Sequence, residues 1–299
     1  GLGYGDGDND TLLEDVKSCM EGYIPLNYDI FDENSIEKKT MTKNDDDDDA
    51  CSTPWKMNLL HKSPPVLEIE NFFSEEECLQ YMNIANGVGD GDDVSNVSNA
   101  SKEDLDTADA ALKVDSATFS SHAVSKRTST TWYCHFSQVP TLLAKAKRLL
   151  NDLPLKQMEE AQIVRYRTGE EFSWHYDEIP TAQLSNGGQR IATLLVYLNT
   201  IEKGGGGGTI FRDLKDSRGN ELTMQPKQGS ALLFFPALLN GQPDDRTLHK
   251  GEVAVDEKMI AQMWIHEKDY SPVIPEGNSH EAAIDVIQAK ETELGYKSD

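Results

Sequence analysis

Ile191-Ala192-Thr193-Leu194-Leu195-Val196-Tyr197-Leu198 is one of a series of short β-rich runs that occupy the second half of this chain. Gln162–Tyr166 and Phe172–His175 precede it, and Gly208–Phe211, Ser230–Phe235 and Met259–His266 follow. Turn chemistry separates them: Asn186-Gly187-Gly188, the glycine run Gly204–Gly208, and Ser217-Arg218-Gly219-Asn220. The glycine run lacks a following Lys-Ser/Thr and precedes a strand, so it is not a phosphate loop. Upstream, Val66-Leu67-Glu68-Ile69-Glu70 alternates like a strand, and Ser74-Glu75-Glu76-Glu77 resembles a capping box opening a helix through about Ala85. Thr141–Leu150 spaces its apolar residues as a second helix. Short strands after a helical lead-in predict a β-sandwich or jelly roll with helices packed outside.

The chain has 299 residues and a formal net charge of −24, from 28 Lys+Arg against 52 Asp+Glu. Residues 119–270 hold 18 acidic and 18 basic residues, so the excess acid lies in the flanks. That distribution predicts a neutral folded core with solvated acidic tails, and excludes an obvious nucleic-acid or anionic-membrane face. Accordingly, 1–64 reads as an acidic, flexible tail ending in Asp45–Asp49 and 65–270 as the folded domain, with an acidic loop insertion over 87–125. Residues 271–299 read as an acidic C-terminal tail. The longest apolar stretch, near Ala231–Leu239, contains Pro236 and is too short to span a bilayer. The start at Gly1-Leu2-Gly3 reads as processed or trimmed. Cys19, Cys51, Cys78 and Cys134 form no CxxC pair, which excludes zinc-finger and thioredoxin chemistry and leaves both free thiols and two disulfides open.

Phe172-Ser173-Trp174-His175-Tyr176-Asp177 carries the chemistry. In an extended chain residues i and i+2 face the same way, so the His175 imidazole and the Asp177 carboxylate can reach one cation. His249, before the last core strand, supplies a second imidazole at domain scale. Two histidines and one carboxylate on one face of an octahedral metal leave positions open, the facial triad of non-haem Fe(II) oxygenases. Lys258, nine residues later, can place an ammonium against the distal carboxylate of a dicarboxylate cosubstrate. By contrast His61, His122, His135 and His280 fit no part of this pattern and read as surface or loop residues.

From about Pro65 to Tyr270 the sequence resembles the 2-oxoglutarate- and Fe(II)-dependent dioxygenases, specifically prolyl 4-hydroxylase catalytic domains of the collagen and plant cell-wall type. The resemblance runs through Asn71–Cys78, Arg127-Thr128-Ser129, Tyr166-x-x-Gly169, His175-Tyr176-Asp177, Arg190-Ile191-Ala192-Thr193, Gly207-Gly208-Thr209, Gly229-Ser230-Ala231, His249, Lys258 and Trp264-Ile265-His266. It implies an α+β, mainly β fold: a double-stranded β-helix (jelly roll) core with flanking N-terminal helices. It implies His175, Asp177 and His249 as iron ligands, and Lys258 as partner of 2-oxoglutarate, with Tyr166 and Thr193 beside it. Arg127, Glu159, Arg190, Trp264 and His266 are implied around a peptide groove. Two positions depart from the family pattern: Lys258 comes one residue early after His249, and Phe172 replaces a tyrosine.

The implied activity is hydroxylation of peptidyl proline at C4 in proline-rich or collagen-like peptides, with Fe(II), 2-oxoglutarate, O2 and ascorbate, giving 4-hydroxyproline, succinate and CO2. The alternatives are the same chemistry on a cytosolic regulatory protein's proline, a lysine or a small molecule, or a non-catalytic jelly-roll binding module. The sequons Asn96-Val97-Ser98 and Asn99-Ala100-Ser101, with the collagen-type resemblance, lean toward the endoplasmic reticulum lumen or secretory pathway over the cytoplasm.

Overall fold

The computed structural model describes residues 9–31, 54–86, 112–115, 119–120, 123–124, 127–151, 153–273 and 278–296. Its helices are α1 (Asn9–Cys19), α2 (Glu75–Asn86), α3 (Pro140–Leu149) and α4 (His280–Glu293). The strands before α3 are β1 (Lys56–Lys62), β2 (Pro65–Glu70), β3 (Leu112–Asp115), β4 (Phe119–Ser120), β5 (Ala123–Val124) and β6 (Thr130–Tyr133). Those that follow are β7 (Gln162–Tyr166), β8 (Phe172–His175), β9 (Arg190–Tyr197), β10 (Thr209–Lys215), β11 (Glu221–Met224), β12 (Ala231–Phe234), β13 (His249–Gly251) and β14 (Lys258–His266). They form an eight-stranded sheet ordered β1-β2-β12-β9-β14-β7-β6-β3, a four-stranded sheet ordered β11-β10-β13-β8, and the β4-β5 pair. The pairings are antiparallel.

Alternation along the central strands explains both layers of the core. On β9, β12, β7 and β14 one set of side chains (Leu194, Val196, Leu233, Ile163, Met259, Ala261, Met263, Ile265) packs toward the helices. The other set (Leu195, Tyr197, Leu232, Phe234, Val164, Tyr166, Ile260) meets Phe172, Phe211, Leu222 and Met224 of the smaller sheet. Two facing sheets over a shared apolar layer fit a jelly-roll core. Because helices cover the outer face of the large sheet, its central strands are buried on both sides and read as continuous apolar runs. All of β14 is buried, yet its inward positions include Lys258, Gln262, Trp264 and His266. Polar groups on a buried face need partners or a ligand.

The helices dock through capping and one buried ion pair. Glu77 N donates to Ser74 Oγ at 3.1 Å and Ser74 N to Glu77 Oε2 at 2.6 Å, the reciprocal capping box expected for α2. Lys145 of α3 donates to Glu77 Oε2 at 2.6 Å and to the Phe72 carbonyl at 2.8 Å, tying α3 to α2.

Both flanks differ from the tails expected of them. Within 1–64, α1 buries Leu13 and Val16, and Met20, Tyr23, Ile24, Leu26 and Phe31 continue that apolar set into the core. β1 adds Met57 and Leu59. Within 271–299, α4 buries Ala283 and Ile287 one turn apart, and Glu291 pairs with Lys147 at 2.7 Å. Acidic residues on the outer faces of these segments mask a sparse apolar stripe, which composition averages away. His280 is likewise buried, stacked on Phe136 with its ring centroid at 4.3 Å and its Nε2 3.0 Å from the Met158 carbonyl. Most of the 87–125 insertion, the sequons, His122, Cys51 and Asp45–Asp49 lie outside the described residues. Cys19, Cys78 and Cys134 are free thiols. No helix among the described residues is long and apolar enough to cross a membrane.

Truncating α4's anchor tests its part in the fold. Ile287→Ala should lower unfolding stability by about 2–4 kcal/mol, read as a lower urea midpoint. A solvated tail at this position would leave the midpoint where it is.

Candidate metal centre and its cavity

β8 and β13 are antiparallel neighbours, and in their register His175 stands directly opposite His249. Asp177 follows His175 by two residues, just beyond the strand end. Asp177 Oδ1 lies 3.6 Å from His175 Nε2, and Oδ2 lies 3.9 Å from His249 Nε2. One ligand atom from each of the three falls within 4.8 Å of the others, a span that a single ion can bridge.

The tautomers follow from the backbone. His175 Nδ1 is 2.8 Å from the Ser173 carbonyl, and His249 Nδ1 is 2.9 Å from the Thr247 carbonyl. A carbonyl only accepts, so each Nδ1 carries the proton and each Nε2 turns its lone pair toward Asp177. Burial, followed by the neighbouring His249, pushes the His175 pKa down to about 3, so its imidazole is neutral. For Asp177 burial acts upward, but His249, His175 and the Arg190 guanidinium outweigh it and hold the carboxyl below its usual range. Thr193 Oγ1 donates to Asp177 Oδ2 at 2.8 Å and sets the carboxylate plane. Two imidazoles tied to backbone carbonyls through Nδ1 and an oriented carboxylate suit a divalent first-row metal.

Aromatic rings close the surroundings. Phe172 stacks on His175 with centroids 3.5 Å apart, while Phe211 and Phe234 flank His249 at 5.5 and 4.8 Å. The same cavity is lined by Tyr166, Thr193, Thr209 and Lys258. Lys258 heads β14 opposite Tyr166, and its ammonium lies over the rings of Tyr166 and Tyr197 at 5.4 and 5.5 Å. Among the described residues no hydrogen bond or ion pair to that ammonium is found. Burial, offset in part by Glu252 and reinforced by Arg127, lowers its pKa to about 7. A buried cation without a carboxylate partner is the complement of an anionic ligand.

The glycine run finds its reason here. Gly206 and Gly207 have φ of +66° and +71°. A Cβ on Gly206 would meet the Val253 carbonyl at 2.2 Å, and one on Gly207 would reach Ile201 at 2.8 Å and the Lys258 stem at 3.4 Å. Positive φ and the close approach of the Val253 carbonyl and Ile201 make both positions glycine sites beside the lysine stem.

The five residues expected at a peptide groove form two groups. Arg190 grips Glu159 with two bonds, Nε to Oε2 at 2.8 Å and Nη2 to Oε1 at 2.7 Å, and lies 3.8 Å over the Trp264 ring. His266 Nε2 is 2.9 Å from the same Glu159 Oε2. Arg190 Nη1 also reaches the Asp177 carbonyl at 3.3 Å, linking this network to the metal set. Arg127 stands apart: its guanidinium lies 5.0 Å over Phe172, with Nε donating to Ser129 Oγ at 2.8 Å. Arg127 Nη2 and His266 Nδ1 are buried nitrogens without a hydrogen-bond partner among the described residues, and the Trp264 side chain helps hold Asp177 ionised.

Some neighbours escaped the sequence reading. Tyr197, under Lys258, donates its hydroxyl to Thr209 Oγ1 at 2.8 Å, and Gln262 donates to Gln162 at 3.2 Å beside the cavity. Tyr197 lies four residues after Thr193, and Gln262 four after Lys258, so the two-residue period carried the signal.

Comparison with known proteins finds similarity over the same strands. The 2OG-Fe(II) oxygenase superfamily model matches residues 161–266, from β7 through β14. Probable prolyl 4-hydroxylase 7 of Arabidopsis thaliana is 32% identical over 231 residues, covering 73% of this chain and 67% of its own. Prolyl 4-hydroxylase 2 of the same plant is 27% identical over 240 residues, with 74% and 73% covered. The 2OG complex of a viral collagen prolyl hydroxylase from Paramecium Bursaria Chlorella virus-1 superposes with a TM-score of 0.43 at 23% identity, over 67% of this chain and 94% of that one.

Arg190→Ala leaves Glu159 buried and unpaired on one side, so it should destabilise the fold by about 3 kcal/mol at neutral pH. Arg190 is what keeps the Glu159 carboxyl below its usual range against burial. Without it Glu159 protonates at higher pH, so the loss should narrow as pH falls through the carboxylate range. Urea titrations of both proteins across pH 4–7 read this directly.

Proposed function

Because the chain belongs to the prolyl 4-hydroxylase family of 2-oxoglutarate- and Fe(II)-dependent oxygenases, we propose that His175, Asp177 and His249 hold its iron and that it hydroxylates proline in extended, proline-rich peptides. It is an oxidoreductase that uses Fe(II), 2-oxoglutarate and O2, with ascorbate as the reductant typical of the family. The observation that carries the reading is the convergence of the His-Asp-His set and the buried ammonium of Lys258 on one cavity. Facing sheets joined across that cavity are what a double-stranded β-helix presents.

The donor set fits iron: two imidazoles with free Nε2 atoms and one ionised carboxylate. Iron and 2-oxoglutarate, when bound, supply the oxidative decarboxylation to succinate and CO2 that is coupled to placing one oxygen atom on the proline C4. The protein's share is binding, orientation and exclusion of water. Lys258 takes the distal carboxylate of 2-oxoglutarate, with the Tyr166 and Thr193 side chains lining the same cavity. Thr193 fixes the Asp177 carboxylate, while Phe172, Phe211 and Phe234 keep the imidazoles dry.

The substrate reading rests on the residues beside that cavity. A polyproline II chain offers carbonyls with no internal hydrogen bonds, and it loses little entropy on docking. Arg127 Nη2 is a buried donor suited to such carbonyls. Arg190, held by Glu159 and His266, presents its guanidinium plane and the Trp264 ring as a rigid wall.

Succinate formation with polyproline and with collagen-like peptides, followed by mass spectrometry, tests the activity. Peptide-stimulated succinate and one added oxygen at proline are expected. Uncoupled succinate without oxidised peptide would discard the substrate class. Lys258 adds a pH signature. Its low pKa means that above pH 7 the site must take up a proton to present an ammonium. Affinity for 2-oxoglutarate should therefore fall by up to about tenfold per pH unit above 7. Calorimetry with Mn(II) in place of iron, in buffers of different ionisation enthalpy, should show that uptake, and Lys258→Met should abolish it.

A further inference from the structure

The turn that delivers His249 is held from the opposite end of the chain. Asp244 is buried, and its carboxylate collects four bonds. Tyr23 donates its hydroxyl to Oδ2 at 3.1 Å. Arg246 donates from N and Nε to Oδ1 at 3.1 and 2.8 Å, and from Nη2 to Oδ2 at 2.6 Å. The Asp244 carbonyl in turn accepts from Thr247 N at 3.0 Å and Thr247 Oγ1 at 2.8 Å. Thr247 is buried, and its own carbonyl accepts the Nδ1 proton of His249 at 2.9 Å. An unbroken series of bonds thus runs from the Tyr23 hydroxyl to the His249 imidazole.

The segment that carries Tyr23 is itself fixed. Leu239 N donates to the Gly22 carbonyl at 2.8 Å, the Tyr23 ring meets Phe235 at 5.3 Å, and Asn27 N donates to the Leu149 carbonyl at 2.9 Å. Ile24, Leu26 and Phe31 are buried in the core beyond it. Tyr23 approaches Asp244 from this packed side, whereas Arg246 is exposed and also donates to the Ser63 carbonyl and hydroxyl. Outer partners that orient a metal-bound histidine commonly govern affinity for the metal.

We propose that Tyr23 is a positioning residue for the iron centre, acting through Asp244 and Thr247 to set the orientation of His249. The N-terminal segment is then part of the catalytic architecture and not only of the core. The inference rests on His249 being a metal ligand, so the experiment tests the two ideas separately.

Cobalt(II) is titrated into the full chain and followed by its visible absorption, at a temperature where circular dichroism shows each variant folded. Tyr23→Phe keeps the ring and removes one hydroxyl; it should bind cobalt about tenfold more weakly, with an altered visible spectrum. Arg246→Lys, a change on the exposed side that leaves the core alone, should shift affinity in the same direction and carries the test if Tyr23→Phe does not fold. Asp15→Asn, which releases the α1 ion pair to Lys62 at 2.8 Å without touching Asp244, should bind as the wild type does. Wild-type affinity in folded Tyr23→Phe overturns the proposal, as does wild-type affinity in Arg246→Lys where Tyr23→Phe does not fold, or an equal loss in Asp15→Asn. Wild-type affinity in His249→Ala overturns the ligand assignment and the positioning role with it.

Discussion

The structure depends on one register, the pairing of β8 with β13 that sets His175 opposite His249. A slip of one residue would turn one imidazole to the other face of the sheet, and the two would no longer meet. Everything around the pair protects that register. The neighbouring β10 aligns Phe211 with His249, and the backbone carbonyls at Ser173 and Thr247 lock both rings. Asp177 needs no strand of its own, because Thr193 on the facing sheet supplies the bond that orients it. The site is therefore shared between sheets, and neither sheet alone assembles it.

β14 links this centre to the rest of the molecule. Its outward residues, Met259 to Ile265, are core for the helices, and its inward residues run from Lys258 through Gln262 to Trp264 and His266. One strand thus supplies the anion-binding end, the middle of the cavity and the wall beside Arg190. The energetic balance is uneven along it. The Glu159 carboxylate is satisfied by His266 Nε2 and Arg190, whereas the Lys258 ammonium has no hydrogen-bond partner among the described residues and its pKa is lowered by burial.

The strands of the core were legible from short β-rich runs and their turns, since burial on both faces leaves apolar sequence that composition does not disguise. The metal set was legible because His175 and Asp177 are two apart on an extended chain, and His249 and Lys258 follow in order. What escaped notice shares a physical cause. Leu13, Val16 and Ile287 lie in acidic flanks, where a stripe of few apolar residues is enough to dock a helix but too sparse to dominate a composition average. Tyr23 could not be read at all as a partner of Asp244, because 221 residues separate them and no local pattern marks the contact. The pairing of Glu159 with Arg190 is of the same kind: the resemblance placed both at a groove, and only the fold shows that they hold each other.

Gly207 gives the cavity a property that no side chain could. The stem of Lys258 rests on bare main chain, where an added Cβ would already touch the stem and press into Ile201. Side chains lining a pocket can be exchanged, and the pocket then deepens or grows shallow; a wall made of backbone offers no such adjustment. The surface on which this ammonium's stem rests is consequently set by the fold and not by the choice of a neighbouring side chain. Substitution can reshape the cavity at side-chain positions such as Thr209 or Ile260, but not along this stretch of main chain.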